Sequence, residues 1–223
     1  MNATISACDC YVGGACLIVL GSTGSIGKNA LSLAGEYGLS VTALACASNY
    51  KLLNAQIKDF APKLVFIKDK KLAKFVNHSR VFYGDITEFL RACASECDSS
   101  KTTLINALVG FGGLVPSKLA QELGFNLALA NKESLVAGGA FLDTAKITPI
   151  DSEHFGLKFL LFSKLAEPKR LIITASGGAV VDIKNPKKIA SLSRKKSRAK
   201  RIYYPHDYCF NAEYYFRAFS IGF

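Results

Sequence analysis

Apolar residues fall along this chain in short blocks of four to eight, and between the blocks they reappear at every third or fourth position. A block that size reads as a strand buried on both faces, and the longer spacing reads as one face of a helix. The pattern predicts strands over residues 17–20, 40–45, 64–67, 80–83, 102–109 and 126–130. Helices are expected from residue 26, over 51–60, as a short basic piece over 70–76, over 87–97, and over 116–123 with Pro116 in the first turn. Strands that alternate with helices at this rhythm build a parallel sheet covered on both faces. No repeat of fixed period and no low-complexity linker precedes residue 184.

Composition changes this picture little. A chain of 223 residues, 50% of them hydrophobic, can bury a sizeable core in one or two domains. No apolar run reaches the roughly 18 residues that would span a bilayer, and the first 16 residues lack the basic start of a secretory signal. A cytoplasmic location is therefore expected. The seven cysteines form no C-x-x-C pair and have no histidine at zinc-ligand spacing, so reduced structural thiols are expected.

The net charge of +11 matters only locally. Residues 1–183 carry 18 Lys/Arg against 15 Asp/Glu, whereas residues 184–223 carry 10 against 2. Nine of those basic residues lie between Lys184 and Arg201, followed by nine aromatic residues between Tyr203 and Phe223. Basic residues beside aromatics suit single-stranded nucleic acid or a membrane surface. So abrupt a shift also marks a segment foreign to the fold, which is the reading preferred here. Neither a membrane nor nucleic acid is expected as a partner.

Candidate chemistry sits where the predicted strands end, because ligands of such sheets bind beyond the carboxyl ends of the strands. The first strand runs into Gly21-Ser22-Thr23-Gly24-Ser25-Ile26-Gly27 and then a helix. Glycines let backbone N–H groups approach a pyrophosphate, and the following helix points its positive end at the same place. Chance turns also produce this spacing. The second strand ends in Cys46-Ala47-Ser48-Asn49-Tyr50-Lys51 without an acid, which leans toward NADP(H) over NAD; an ordinary loop with Asn49 as a helix cap is the alternative. After residue 130 come Asn131, Lys132, Glu133 and Ser134, either a cation delivered to a phosphate or oxyanion, or a solvated loop with Ser134 as cap. Asp151 and Glu153, two apart on an extended segment, can converge on a hard cation such as Mg²⁺ or Mn²⁺, or can simply cap the next helix. Finally, residues 171–179 read as a buried strand ending in Ser176-Gly177-Gly178, a phosphate nest or a structural turn.

Four motifs in this order, GSTGSIG at 21–27, ANKESLV at 130–136, PIDSEH at 149–154 and TASGG at 174–178, make the chain resemble the 1-deoxy-D-xylulose 5-phosphate reductoisomerases. The resemblance covers residues 17–179. It implies an α/β chain: a Rossmann-like doubly wound parallel sheet followed by the start of a truncated catalytic α/β domain. The expected division is an extension at 1–16, an NADPH-binding domain at 17–146, the opening of the catalytic domain at 147–183 and a basic aromatic tail at 184–223.

By the same resemblance, Thr23, Gly24, Ser25, Ile26, Asn49, Asn131 and Glu133 would contact NADPH. Ala47 and Ser48 fall where the family has a cofactor loop but match it weakly. Asp151 and Glu153 would bind Mg²⁺ or Mn²⁺. Lys132, Ser152, Glu153 and Ser176 would hold a phosphorylated sugar, with Lys132 and Glu153 catalytic. The reaction implied is rearrangement of a ketose phosphate followed by reduction to 2-C-methyl-D-erythritol 4-phosphate, in a homodimer when full-length. The family's later substrate lid and further metal carboxylate are not recognisable in this sequence. The alternatives are an NADP(H)-binding chain without turnover and a nucleic-acid-associating protein acting through its basic tail.

Overall fold

A computed structural model describes residues 16–151, 154–156 and 158. Among the described residues, seven strands form one sheet: β1 (Cys16–Leu20), β2 (Ser40–Cys46), β3 (Leu64–Ile67), β4 (Val81–Tyr83), β5 (Thr102–Asn106), β6 (Asn126–Leu129) and β7 (Ile147–Pro149). Their spatial order is β4-β3-β2-β1-β5-β6-β7, and every pairing is parallel. The chain therefore winds outward from β1 to one edge, returns to β5 beside β1, and winds outward again. The crevice where that direction reverses, above β1 and β5, is where such sheets bind ligands.

Among the described residues, five α-helices cover the faces: α1 (Ser25–Glu36), α2 (Tyr50–Phe60), α3 (Ile86–Glu96), α4 (Leu114–Glu122) and α5 (Lys132–Gly138). Successive side chains of a strand point to opposite faces, so each strand feeds two cores. Ile18, Leu20, Leu64, Phe66, Leu127 and Leu129 pack with Phe89, Leu90 and Cys93 of α3 and with Leu119 and Ala120 of α4. Leu17, Val19, Val65, Ile67 and Ile105 pack with Leu31 and Ala34 of α1 and with Leu53 of α2. Phe89 is the anchor of the first core, its ring 5.5 Å from Phe66 and 5.8 Å from Phe82. Burying one such ring contributes about 2–3 kcal/mol. Among the described residues, no helix is long and apolar enough to cross a membrane.

Some expected elements differ in type or extent. The basic piece after β3 is a 3-10 helix, Lys70–Phe75, capped by Asp69. β5 ends at Asn106, three residues short of the expected 109, because the Asn106 side chain accepts from the Leu108 N–H at 3.2 Å and turns the chain. α5 begins at Lys132 and is capped by Asn131; Ser134, one of the expected caps, lies buried within the first turn. Ile147–Pro149, at the start of the segment expected to open the next domain, hydrogen-bonds beside β6 as an edge strand of this sheet.

Candidate functional site

All seven strands run the same way, so the loops after β1, β2, β5, β6 and β7 line one rim. At the centre of that rim is the turn from β1 into α1. Gly21 takes φ +82°, and a Cβ there would lie 2.6 Å from the Ala107 carbonyl oxygen on β5's exit. Gly27 packs so closely on the turn that a Cβ would stand 2.7 Å from Ser22 Cα. The turn is locked from below: the N–H groups of Gly21 and Ser22 both donate to Ala45 of β2, at 2.8 and 2.9 Å. α1 then starts at Ser25 with no side-chain cap and no acidic residue in its first turn. Its first amides are left for an external acceptor at the positive end of the helix dipole. Gly24, Ser25 and Ile26 are exposed there, and Thr23 is half-buried. Ser22 is fully buried, and its hydroxyl has no hydrogen-bond partner.

Beside this turn, β2 ends in exposed Ala47, Ser48 and Asn49. Asn49 accepts the Leu52 N–H at 3.1 Å and so caps α2, which was the alternative reading of that residue. The strand itself ends without an acid, and the loop after β3 lies beside it: the Lys68 and Asp69 N–H groups donate to the Cys46 and Ala47 carbonyls at 3.0 and 3.1 Å. That loop carries exposed Lys68, Lys70 and Lys71 together with exposed Asp69, and Lys51 is exposed at the start of α2.

On the other side of the crevice, two buried asparagines hold the β5–α4 loop. Asn106 donates to the Gly113 carbonyl and to Ser117 Oγ, both at 2.8 Å. Asn131 donates to the carbonyls of Leu108 and Gly110, at 2.6 and 2.7 Å. Its side-chain oxygen accepts from the N–H of Ser134 at 2.9 Å and from its hydroxyl. With its side chain so engaged, Asn131 supports the rim from within. Gly113 is part of the same clamp, since a Cβ there would lie 2.6 Å from Asn131 Cγ. Sequence reasoning missed Asn106, Gly113 and Ser117. A single polar residue interrupting the apolar run at 104–109 was the available signal.

Lys132 and Glu133 follow in the first turn of α5, both half-buried. Asp151 follows β7, held to the rim by the Ile150 N–H, which donates to the Leu129 carbonyl at 3.0 Å. Its Oδ1 lies 2.6 Å from His154 Nδ1 and accepts the His154 N–H at 3.0 Å, so it also caps the next helical turn. Burial pushes the Asp151 carboxyl up, but the bonds from His154 and the nearby charge of Lys132 outweigh it and hold the carboxyl below the usual range. Asp151 is thus an ionised, half-buried carboxylate on the same rim as the glycine turn, in the field of Lys132. β1 and β7 are three strand steps apart, about 15 Å at ordinary strand spacing. Among the described residues, no group of three or more His, Cys, Asp or Glu side chains converges on one point. Ser152, Glu153 and Ser176 lie outside the described residues, as do the tail at 184–223 and residues 1–15.

Comparison with known proteins fits this geometry. A family model described as 1-deoxy-D-xylulose 5-phosphate reductoisomerase matches residues 17–139. The reductoisomerase of Campylobacter fetus subsp. fetus is 60% identical over 169 residues, covering 75% of this chain and 46% of that protein. Among solved structures, the Zymomonas mobilis reductoisomerase in complex with NADPH is 30% identical with a TM-score of 0.55, covering 65% of this chain and 40% of the other. A DOX-P reductoisomerase complex with NADPH, fosmidomycin and magnesium is 29% identical with a TM-score of 0.59, covering 82% of this chain and 50% of the other. The chain spans about half the length of the curated relatives it matches.

Proposed function

Since the chain belongs to the 1-deoxy-D-xylulose 5-phosphate reductoisomerase family, we propose that residues 16–151 form an NADPH-binding unit carrying the opening of the catalytic site. The observation that carries this reading is the uncapped start of α1 at the β1–β5 crevice, behind a turn only glycine can make at Gly21. Thr23, Gly24, Ser25 and Ile26 would present backbone N–H groups to the cofactor's pyrophosphate. Asn49, with the lysines around the end of β2, would meet the 2′-phosphate. Asn131 and Glu133 would border the nicotinamide end, Asn131 through the loop it holds.

We infer a hard-cation site on the same rim, supported by the charge and burial of Asp151. Asp151 is ionised and half-buried, and with Glu153 it would hold Mg²⁺ or Mn²⁺. When bound, the metal supplies polarisation of substrate oxygens, and NADPH supplies hydride. Lys132 would hold the phosphorylated sugar by its charge, with Ser152, Glu153 and Ser176 as the further substrate contacts. His154 would keep the Asp151 carboxylate oriented. The complete activity, conversion of 1-deoxy-D-xylulose 5-phosphate to 2-C-methyl-D-erythritol 4-phosphate in a cytoplasmic homodimer, is proposed for a chain that spans the whole length of these relatives.

One observation favours a second reading for the chain as it stands. It spans less than half of the Campylobacter fetus relative, so NADPH binding without turnover is the alternative. Calorimetric titration of NADPH into the purified chain tests the shared premise, and absence of binding overturns both readings. Manganese-dependent NADPH oxidation with the ketose phosphate then separates them.

A further inference from the structure

Among the described residues, α2 turns two side chains fully inward, Leu53 and Gln56. Leu53 belongs to an apolar core, but a glutamine only 6% exposed needs another reason. Gln56 Nε2 donates to the Ser22 carbonyl at 2.8 Å, a bond that spans 34 residues from the helix after β2 to the glycine turn after β1. Its Oε1 is buried without a hydrogen-bond partner, so the residue keeps an unmatched polar atom in order to make that one bond.

The consequence follows from peptide planarity. In a trans peptide the C=O and the next N–H point in opposite directions. Drawing the Ser22 carbonyl toward α2 therefore turns the Thr23 N–H away from α2. We propose that Gln56 is a positioning residue: its grip on Ser22 aims the Thr23 N–H at the phosphates of a bound dinucleotide and ties α2 to the pyrophosphate turn. This rests on the reading that the glycine turn binds NADP(H).

The test is calorimetric titration of the full chain with two probes, NADP⁺ and adenosine 2′-phosphate, which lacks the pyrophosphate. Gln56→Met keeps the side chain's length and removes both its bond and its unmatched oxygen, so thermal stability should change little. NADP⁺ affinity should fall about tenfold while adenosine 2′-phosphate binding stays as in the wild type. Gln56→Asn, one methylene too short to reach Ser22, serves as a second variant if the first does not fold. Unchanged NADP⁺ affinity overturns the proposal. Equal weakening for both probes also overturns it, since that marks a merely structural role. Failure of the wild-type chain to bind NADP⁺ instead overturns the reading of the glycine turn, and the proposal with it.

Discussion

Replacing Gly21 by alanine adds one methyl group at the point where β1, β2 and β5 meet. Two separate costs arise there. A left-handed backbone costs an L-residue about 1–2 kcal/mol, and Gly21 sits at φ +82°. The new Cβ would also lie 2.6 Å from the Ala107 oxygen and 2.9 Å from the Ala107 carbonyl carbon. Neither side can yield easily: Ala107 N–H is bonded to the Leu20 carbonyl at 2.9 Å, and the N–H groups of Gly21 and Ser22 are both bonded to Ala45. Overpacking of this kind costs about 1–3 kcal/mol, so Gly21→Ala should lose about 3 kcal/mol in all. Gly24→Ala is the internal control, because Gly24 sits at φ −77° and its nearest neighbour to a Cβ is 3.3 Å away. That variant should lose less than about 1 kcal/mol. The chain has no tryptophan, so urea unfolding is best followed by far-ultraviolet circular dichroism. A loss of about 3 kcal/mol lowers the urea midpoint by about 1–3 M. Equal midpoints for the two variants would refute the geometry described for the turn.

Asn131→Ala removes the donors to Leu108 and Gly110 and the cap of α5, and should cost about 3 kcal/mol in urea unfolding. Gly113→Ala should be milder in that background than in the wild type, because the Asn131 side chain is what its Cβ would strike; additivity in the double mutant would contradict the clamp. Burial pushes the Cys46 thiol up to about 11, leaving only about one molecule in ten thousand as thiolate at neutral pH. Mass spectrometry after iodoacetamide treatment should find Cys46 and buried Cys93 unmodified until urea is added. Asp151, held below its ordinary carboxylate range when folded, favours folding above about pH 4, and that contribution is lost as pH falls through its folded value. Asp151→Asn should therefore flatten the acid limb of stability against pH; an unchanged limb would count against the His154 contact.

Much of this protein could be read directly from the order of its residues. Blocks such as Leu64–Ile67 are apolar on both faces because a parallel strand between two helical layers has no solvent side. The glycine turn was legible for a similar reason, since backbone conformation and close approach are local demands met by residue type. Assignment of Asn131, Lys132 and Asp151 to one rim followed from their standing after strand ends.

Tertiary structure alone decided the rest. It set β5 next to β1, and so made Ala107 the wall against which Gly21 must be glycine. It made Asn131 a clamp on a loop more than 20 residues away, and gave Gln56 its carbonyl on the glycine turn. Periodicity reports which face of an element is buried, but a buried polar group is satisfied by whichever backbone folding brings to it. That partner lies outside any window along the chain, so its identity is a property of the packed sheet.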